Sequence, residues 1–204
     1  MSHLAPNTVH AAIIDSADQL FERYGYRKTT VEEVAHAAGI GKGTIYLHFR
    51  SKEEIGLAWV DRLHLNLYDQ LVAIARCDAS PEARLVAFLE QRVILRYDLF
   101  DRHKRSMDEA MESLRPQLIG KRDAFHEGEA QLLKSVIEDG VQAGLMQSAD
   151  PATDARSMIL ATNSLLPYSL RPEQLGDRGC VFGKVASLAR LLVRAVHPAP
   201  PTQT

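Results

Sequence analysis

The stretch Thr30–Lys52, TVEEVAHAAGIGKGTIYLHFRSK, decides the fold. Thr30 is a helix N-cap, and Glu33 three residues on completes a capping box. Val31, Val34, Ala35 and Ala38 recur at helical spacing until Gly39 stops the helix. A second short helix follows over Lys42–Phe49, with Ile45 and Phe49 pointing inward. Two helices of this length joined by a tight Gly39-Ile40-Gly41 turn make a helix-turn-helix, whose second helix enters the major groove N-terminus first. The residue types suit that task. Lys42 meets a phosphate or a guanine edge. Gly43 lets backbone approach closely. Thr44 can bond a base edge or touch a thymine methyl. Tyr46 and His48 lie off the inward stripe and can reach phosphates, the alternative being that they are ordinary surface residues. Leu47 meets a thymine methyl or covers a domain interface. Thr29 and Thr30 offer hydroxyls and backbone N–H groups at the start of the first helix. Lys52 opens the next helix at the unfavourable dipole end for a cation, unless an anion sits beside it.

Outward from this unit the apolar spacing stays helical, and no stretch alternates as a strand does. Val9, Ile13, Ala17, Leu20 and Tyr24 mark a preceding helix that ends at Gly25. Ser51, with Glu54 at N3, caps a long fourth helix carrying Ile55, Trp59, Leu63, Leu67, Leu71 and Ile74. Ser80-Pro81-Glu82 starts a fifth. The polar region Asp101–Arg115 ends at Pro116, and a further helix runs over Gln117–Gly140 with Phe125, Leu132, Leu133, Val136 and Ile137 inside. Asp150-Pro151 opens another, which Pro167 ends or kinks. Arg171–Gly179 is a loop, and the last helix carries Val181 to Val196. The expectation is an all-α chain of about nine helices. A three-helix DNA-binding domain spans 1–52, a larger helical domain 53–197, and a flexible tail 198–204.

The chain of 204 residues is 46% hydrophobic and 25% charged, which is globular composition and excludes a disordered or fibrous chain. Its net charge of −2 excludes a globally basic nucleic-acid binder. The charge is uneven, however. Tyr24–Lys52 holds Arg27, Lys28, Lys42, Arg50 and Lys52 against Glu32 and Glu33, a local excess of +3, so the remainder carries −5. No run of apolar residues is long enough to span a membrane, and no secretory leader opens the sequence, so a cytoplasmic location is expected. Two cysteines, Cys77 and Cys180, make no disulfide scaffold. The sequence GIGKGT is not a phosphate loop. Gly43 follows Lys42 where Ser or Thr is needed, His36 stands where the first Gly should be, and a helix precedes it. No HExxH, GxSxG or CxxC occurs, and the eight histidines are scattered. Neither catalysis, nor a metal, nor a cofactor is expected.

The stretch Ile13–Glu54, IIDSADQLFERYGYRKTTVEEVAHAAGIGKGTIYLHFRSKEE, resembles the DNA-binding domain of TetR-family transcriptional regulators. Leu-Phe followed by Tyr-Gly-Tyr, the Thr-Thr pair, Ala-Ala-Gly, Gly-Thr-Ile-Tyr-x-His-Phe and Ser-Lys-Glu all fall at the family spacing. The resemblance implies a homodimer on a palindromic operator in double-stranded DNA, released by a small-molecule effector bound in the C-terminal domain. It implies that Thr30, Gly41, Lys42, Gly43, Thr44, Tyr46, His48 and Lys52 face DNA. Gly41 departs from the usual Ser or Thr, so the recognition helix lacks a side-chain cap. Leu47 departs from the usual aromatic or polar residue. Effector-independent DNA binding and, behind it, an enzyme on a related helical fold are the alternatives.

In proteins resembling TetR the C-terminal helices enclose a ligand cavity. Trp59, Leu63, Phe88, Arg92, Phe125 and Asn163 have the inward phase to line one, and a mostly apolar lining implies a small, largely hydrophobic ligand. Trp59 reads equally well as a core anchor. Asn163 interrupts the apolar run Met158–Leu166 and needs a hydrogen-bond partner if buried. Ile159, Thr162 and Leu166, with Val181, Val185, Leu188, Leu192 and Val196, form the expected dimer face of the last two helices. The alternative is that these stripes cover the domain's own core.

Overall fold

The computed structural model describes residues 6–166 and 176–197. Among them are eight α-helices and no strand. They are α1 (Pro6–Tyr24), α2 (Val31–Ala37), α3 (Lys42–His48), α4 (Lys52–Arg76), α5 (Pro81–Arg102), α6 (Lys104–Gln142), α7 (Pro151–Thr162) and α8 (Arg178–Arg194). A single 3₁₀ turn, Asn163–Leu165, follows α7. Pro167, residues 171–175 of the expected loop and the tail 198–204 lie outside the described residues. Arg178 and Gly179, expected in that loop, belong to α8, whose N-cap is Asp177.

The helix starts follow local chemistry. The Thr30 hydroxyl accepts the Glu33 N–H at 3.2 Å while the Glu33 carboxylate accepts the Thr30 N–H at 2.8 Å. Ser51 Oγ accepts the Glu54 N–H, Ser80 Oγ the Ala83 N–H, and Asp150 Oδ1 the N–H groups of Ala152 and Thr153.

The polar region expected to end at Pro116 and the helix expected from Gln117 on form one helix, because α6 runs through Pro116. Proline removes an intrahelical donor and crowds the preceding turn. Here the apolar stripe continues across it. Met107, Ala110 and Leu114 before the proline and Leu118 after it are all buried, so both flanking turns are anchored in the same helical phase.

The described chain divides into two compact units. The first holds residues up to Leu65 together with Arg102–Lys121, and the second holds Asn66–Asp101 and residues from Arg122 on. In the first, Ile13, Ala17, Phe21, Tyr26, Val34, Ile45, Phe49, Ile55 and Trp59 are buried. The α1 stripe ends on Phe21 and not on Tyr24, which is exposed. Phe21 meets Tyr26 and Trp59 edge-on, each with ring centroids 5.2 Å apart. In the second unit Leu71, Leu85, Phe88, Leu89, Leu133, Val136, Ile137, Met158, Ile159, Ala189 and Val193 build one core. Val93, Ile94, Leu166, Val181 and Val185 build a smaller one.

Candidate nucleic-acid interface

The turn between α2 and α3 is set by Gly39, whose φ of +67° places it in the left-handed region where glycine is unstrained. The Ile40 N–H then reaches back to Ala35 O at 3.0 Å, which closes α2 in a Schellman motif. Ile45 and Phe49 are buried, so α3 turns its other side outward. Gly41, Lys42, Gly43, Tyr46 and Leu47 are exposed, Leu47 to 84%, and Thr44 and His48 are half-buried. Gly41 caps α3 without a side-chain hydrogen bond. The His48 ring lies 6.4 Å from that of His10.

Lys42 forms an exposed ion pair with Glu32 of α2, and its ammonium stands 5.8 Å over the Tyr46 ring. The hydrogen bond from Lys42 holds the Glu32 carboxyl below the usual carboxylate range, and the same bond raises Lys42. A phosphate reaching Lys42 therefore competes with a carboxylate already in place.

Two residues expected at DNA are turned inward. Thr29 is buried, and its hydroxyl donates to Gly25 O at 2.9 Å. Lys52 Nζ donates to the carbonyls of Tyr26, Arg27 and Thr29, each at 3.1 Å, and lies 4.8 Å over the Tyr26 ring. An ammonium has three N–H groups, so all of them serve the α1–α2 turn. The carbonyls supply the negative partner that the helix start demands of this lysine. Tyr26 OH is buried with no hydrogen-bond partner, and burial, then the Glu53 charge, pushes it up to about 12.

The α1–α2 turn is held from α6 as well. Glu109 Oε2 accepts the Arg27 N–H at 2.7 Å, and Arg105 Nε donates to Glu109 Oε1 at 3.1 Å. Burial would raise the Glu109 carboxyl, but the Arg27 N–H and the Arg105 guanidinium outweigh it and hold it low. The Arg27 guanidinium pairs with Glu112 at 2.6 Å, and Ser106 Oγ donates to Phe21 O. Nothing in the sequence near Arg27 announces these partners.

Of the six residues expected around a ligand, Trp59 and Leu63 belong to the first unit. Trp59 is fully buried there, donates Nε1–H to Asp18 at 2.6 Å and meets the His103 ring edge-on, so it is a core anchor. In the second unit Arg92 and Asn163 come together. Arg92 is fully buried and donates to Glu129 at 2.6 Å and to Thr162 and Asn163 at 2.7 Å each. Arg96 donates to the other Glu129 oxygen. Phe88 is buried one turn before Arg92, and Phe125 is half-buried one turn before Glu129. Glu129 and Arg96 escaped the sequence reading. The signal for them is Arg92 and Arg96 four apart on an apolar helix face, a like-charge pair that requires a shared anion. Burial first, then the Arg92 charge, lowers His126 to about 4.

The expected dimer residues Ile159, Thr162, Leu166, Val181, Val185 and Val196 are buried within the single chain, and Leu188 and Leu192 are half-buried. Their stripe is spent on the unit's own core, so little of it is left for a partner. The apolar side chains that α7 and α8 leave outside are Leu160 at 71%, Leu191 at 62% and Phe182 at 42% exposed.

No helix among the described residues is long and apolar enough to cross a membrane. Residues 13–58 match the family model of bacterial regulatory proteins of the tetR family. YhgD of Bacillus subtilis (strain 168), an uncharacterized HTH-type transcriptional regulator, is 26% identical over 150 residues, which is 72% of this chain and 76% of that protein. A transcriptional regulator from Cytophaga hutchinsonii ATCC 33406 superposes with a TM-score of 0.76 at 18% identity, covering 92% of this chain and 98% of the other. FadR from Bacillus subtilis, solved in complex with stearoyl-CoA, superposes with a TM-score of 0.61 at 19% identity, covering 92% and 100%. At these identities the two structures speak for the fold. The helix-turn-helix geometry and the matched stretch together identify residues 13–58 as a DNA-binding domain of the tetR family of bacterial regulatory proteins.

Proposed function

We propose that the chain represses transcription as a homodimer on a palindromic operator and leaves it when a small, largely hydrophobic molecule binds the second unit. The observation that carries this reading is the outward face of α3, where Lys42, Gly43, Thr44, Tyr46 and Leu47 stand around a buried Ile45 within a locally basic segment. Lys42 and Tyr46 take phosphates, the Thr30 hydroxyl joins them by giving up its bond to the Glu33 carboxylate, His48 adds a flanking contact, and Thr44 and Leu47 read base edges and thymine methyls. Thr29 and Lys52 act through the α1–α2 turn and not by touching DNA.

Two recognition helices must lie about 34–36 Å apart, or a multiple of that, to meet successive major grooves. The dimer uses Leu160, Phe182 and Leu191, the apolar side chains exposed on α7 and α8. Effector binding shifts the equilibrium between spacings that fit and do not fit the operator. The stearoyl-CoA bound to the FadR structure supports an effector with an apolar body. Phe88 and Phe125 supply the apolar contacts here, and Arg92 with Asn163 the polar pole. One observation favours effector-independent binding instead. Arg92, fully buried, already gives an N–H from each of its three nitrogens to protein acceptors, so its charge is satisfied without a ligand. A cytoplasmic location belongs to the same proposal.

The test is fluorescence anisotropy on labelled DNA from upstream of the coding sequence, against scrambled DNA at two salt concentrations. Two protomers per site and a marked preference for the native fragment are expected. Weak, equal and salt-sensitive binding to both DNAs sinks the reading of a specific repressor.

A further inference from the structure

The turn that aims the helix-turn-helix is held by groups far from it in sequence. Lys52 takes its carbonyls, and Glu109, 82 residues beyond Arg27, takes the Arg27 N–H. The approach is close. Gly25 has φ +90°, and a Cβ there would sit 2.8 Å from Glu109 Oε2 and 3.0 Å from Arg105 Nε. The backbone conformation strains any side chain at this position, and one placed there would push the Glu109 carboxylate aside.

A carboxylate beside a basic DNA-facing segment weakens DNA binding through its charge. Its presence against Arg27 needs another reason, and the geometry supplies one. We propose that Glu109 is a positioning residue for DNA binding: by gripping the Arg27 N–H and filling the space over Gly25, it fixes the direction in which the chain leaves α1 and thereby the pose of α2 and α3. The proposal rests on the DNA-binding reading above. Ser106, one turn earlier on α6, steadies the end of α1 through Phe21 O.

Three variants separate geometry from charge. Glu109→Gln, Glu109→Ala and Glu109→Leu all remove the same unit of charge. Gln keeps an oxygen that accepts the Arg27 N–H, Ala leaves neither acceptor nor bulk, and Leu keeps the bulk without the acceptor, so it serves if the Ala variant fails to fold. With the labelled upstream fragment, Glu109→Ala and Glu109→Leu are expected to bind about five-fold more weakly than the wild type, the effect of one lost hydrogen bond. Glu109→Gln stays within about two-fold. All of them keep the wild-type dependence on salt, because no phosphate contact changes. Amide exchange at Arg27 is expected to quicken in the Ala and Leu variants, with the change confined to residues 25–30.

If all three variants bind more tightly by the same factor, Glu109 acts as a charge alone and the proposal falls. It falls also if the Arg27 amide stays protected without the carboxylate, or if affinity is unchanged in every variant. A wild-type protein that does not distinguish the upstream fragment from scrambled DNA defeats the DNA-binding reading instead. In that case the exchange measurement still reports whether Glu109 holds the turn.

Discussion

Glu129→Gln is the substitution with the largest consequence for the second unit. Glu129 is fully buried, and its two oxygens accept from the buried guanidinium groups of Arg92 and Arg96. Glutamine keeps the shape but removes the charge, so two cations stay in the interior facing a neutral amide whose NH₂ donates where it should accept. Removing one partner of a buried ionic group costs about 3–5 kcal/mol. In a chain of this size each kcal/mol moves the melting temperature by about 2–4 °C, so Tm should fall by roughly 6–20 °C. Circular dichroism melts at equal protein concentration measure it, because dimerisation makes Tm depend on concentration. The combined change Arg92→Met, Arg96→Met, Glu129→Leu removes every charge at once. It should recover most of the loss, since well-packed apolar replacements of buried ion pairs are often neutral or better. A Glu129→Gln variant that melts within about 3 °C of the wild type refutes the claim that this network carries stability. A triple variant as unstable as the single one shows that shape, and not charge, is at stake.

Lys42→Ala should weaken binding to every DNA sequence and reduce the slope of log K against log salt by about 0.9 per protomer; an unchanged slope removes Lys42 from the phosphate contacts. Leu160→Arg with Leu191→Arg should yield folded monomers in sedimentation velocity, whereas Val185→Arg should unfold the chain, because Val185 is fully buried in its own core. A folded, monomeric Val185→Arg variant would return the interface to the stripe read from the sequence. His126 sits at about 4 in the folded chain against 6.5 for a free imidazole. The unfolded chain therefore takes up the proton first, and stability present above pH 6.5 is lost as the pH falls toward 4. His126→Asn should flatten the fall of Tm across that window, and an equally steep fall would assign the acid sensitivity to other groups.

The parts of the fold legible in the sequence are those decided within a few residues. Thr30 with Glu33, Ser51 with Glu54, Ser80 with Pro81 and Asp150 with Pro151 each settle a helix start through bonds three residues long, and the structure has a helix at each. Pro116 misled because a local penalty was weighed without the burial that opposes it. Met107, Ala110, Leu114 and Leu118 together anchor more than a proline costs, but only the folded core reveals that they share a phase across it. For the expected dimer face the burial favours the other reading, in which the stripe covers the domain's own core. Periodicity reports that α8 has an apolar side, not whether the chain's own core consumes it. On α8 Phe182 and Leu191, each one residue out of phase with the buried stripe, remain exposed.

Lys52 shows why a charge pattern and a contact list differ. The sequence placed a lysine at the positive end of a helix and required something negative beside it. A phosphate satisfies that requirement, and so do three carbonyl dipoles 3.1 Å away, which are 23 to 26 residues distant in the chain. Dipoles satisfy the N–H groups without cancelling the net charge. Lys52 therefore still contributes to the local excess of +3 that draws DNA toward this face, acting over a Debye length of about 8 Å at physiological salt. Long-range attraction belongs to every basic residue of the segment, whereas direct contact belongs only to those whose donors the fold leaves outward. On this surface Lys28, Lys42 and Arg50 are exposed, whereas Thr30 gives both its N–H and its hydroxyl to Glu33.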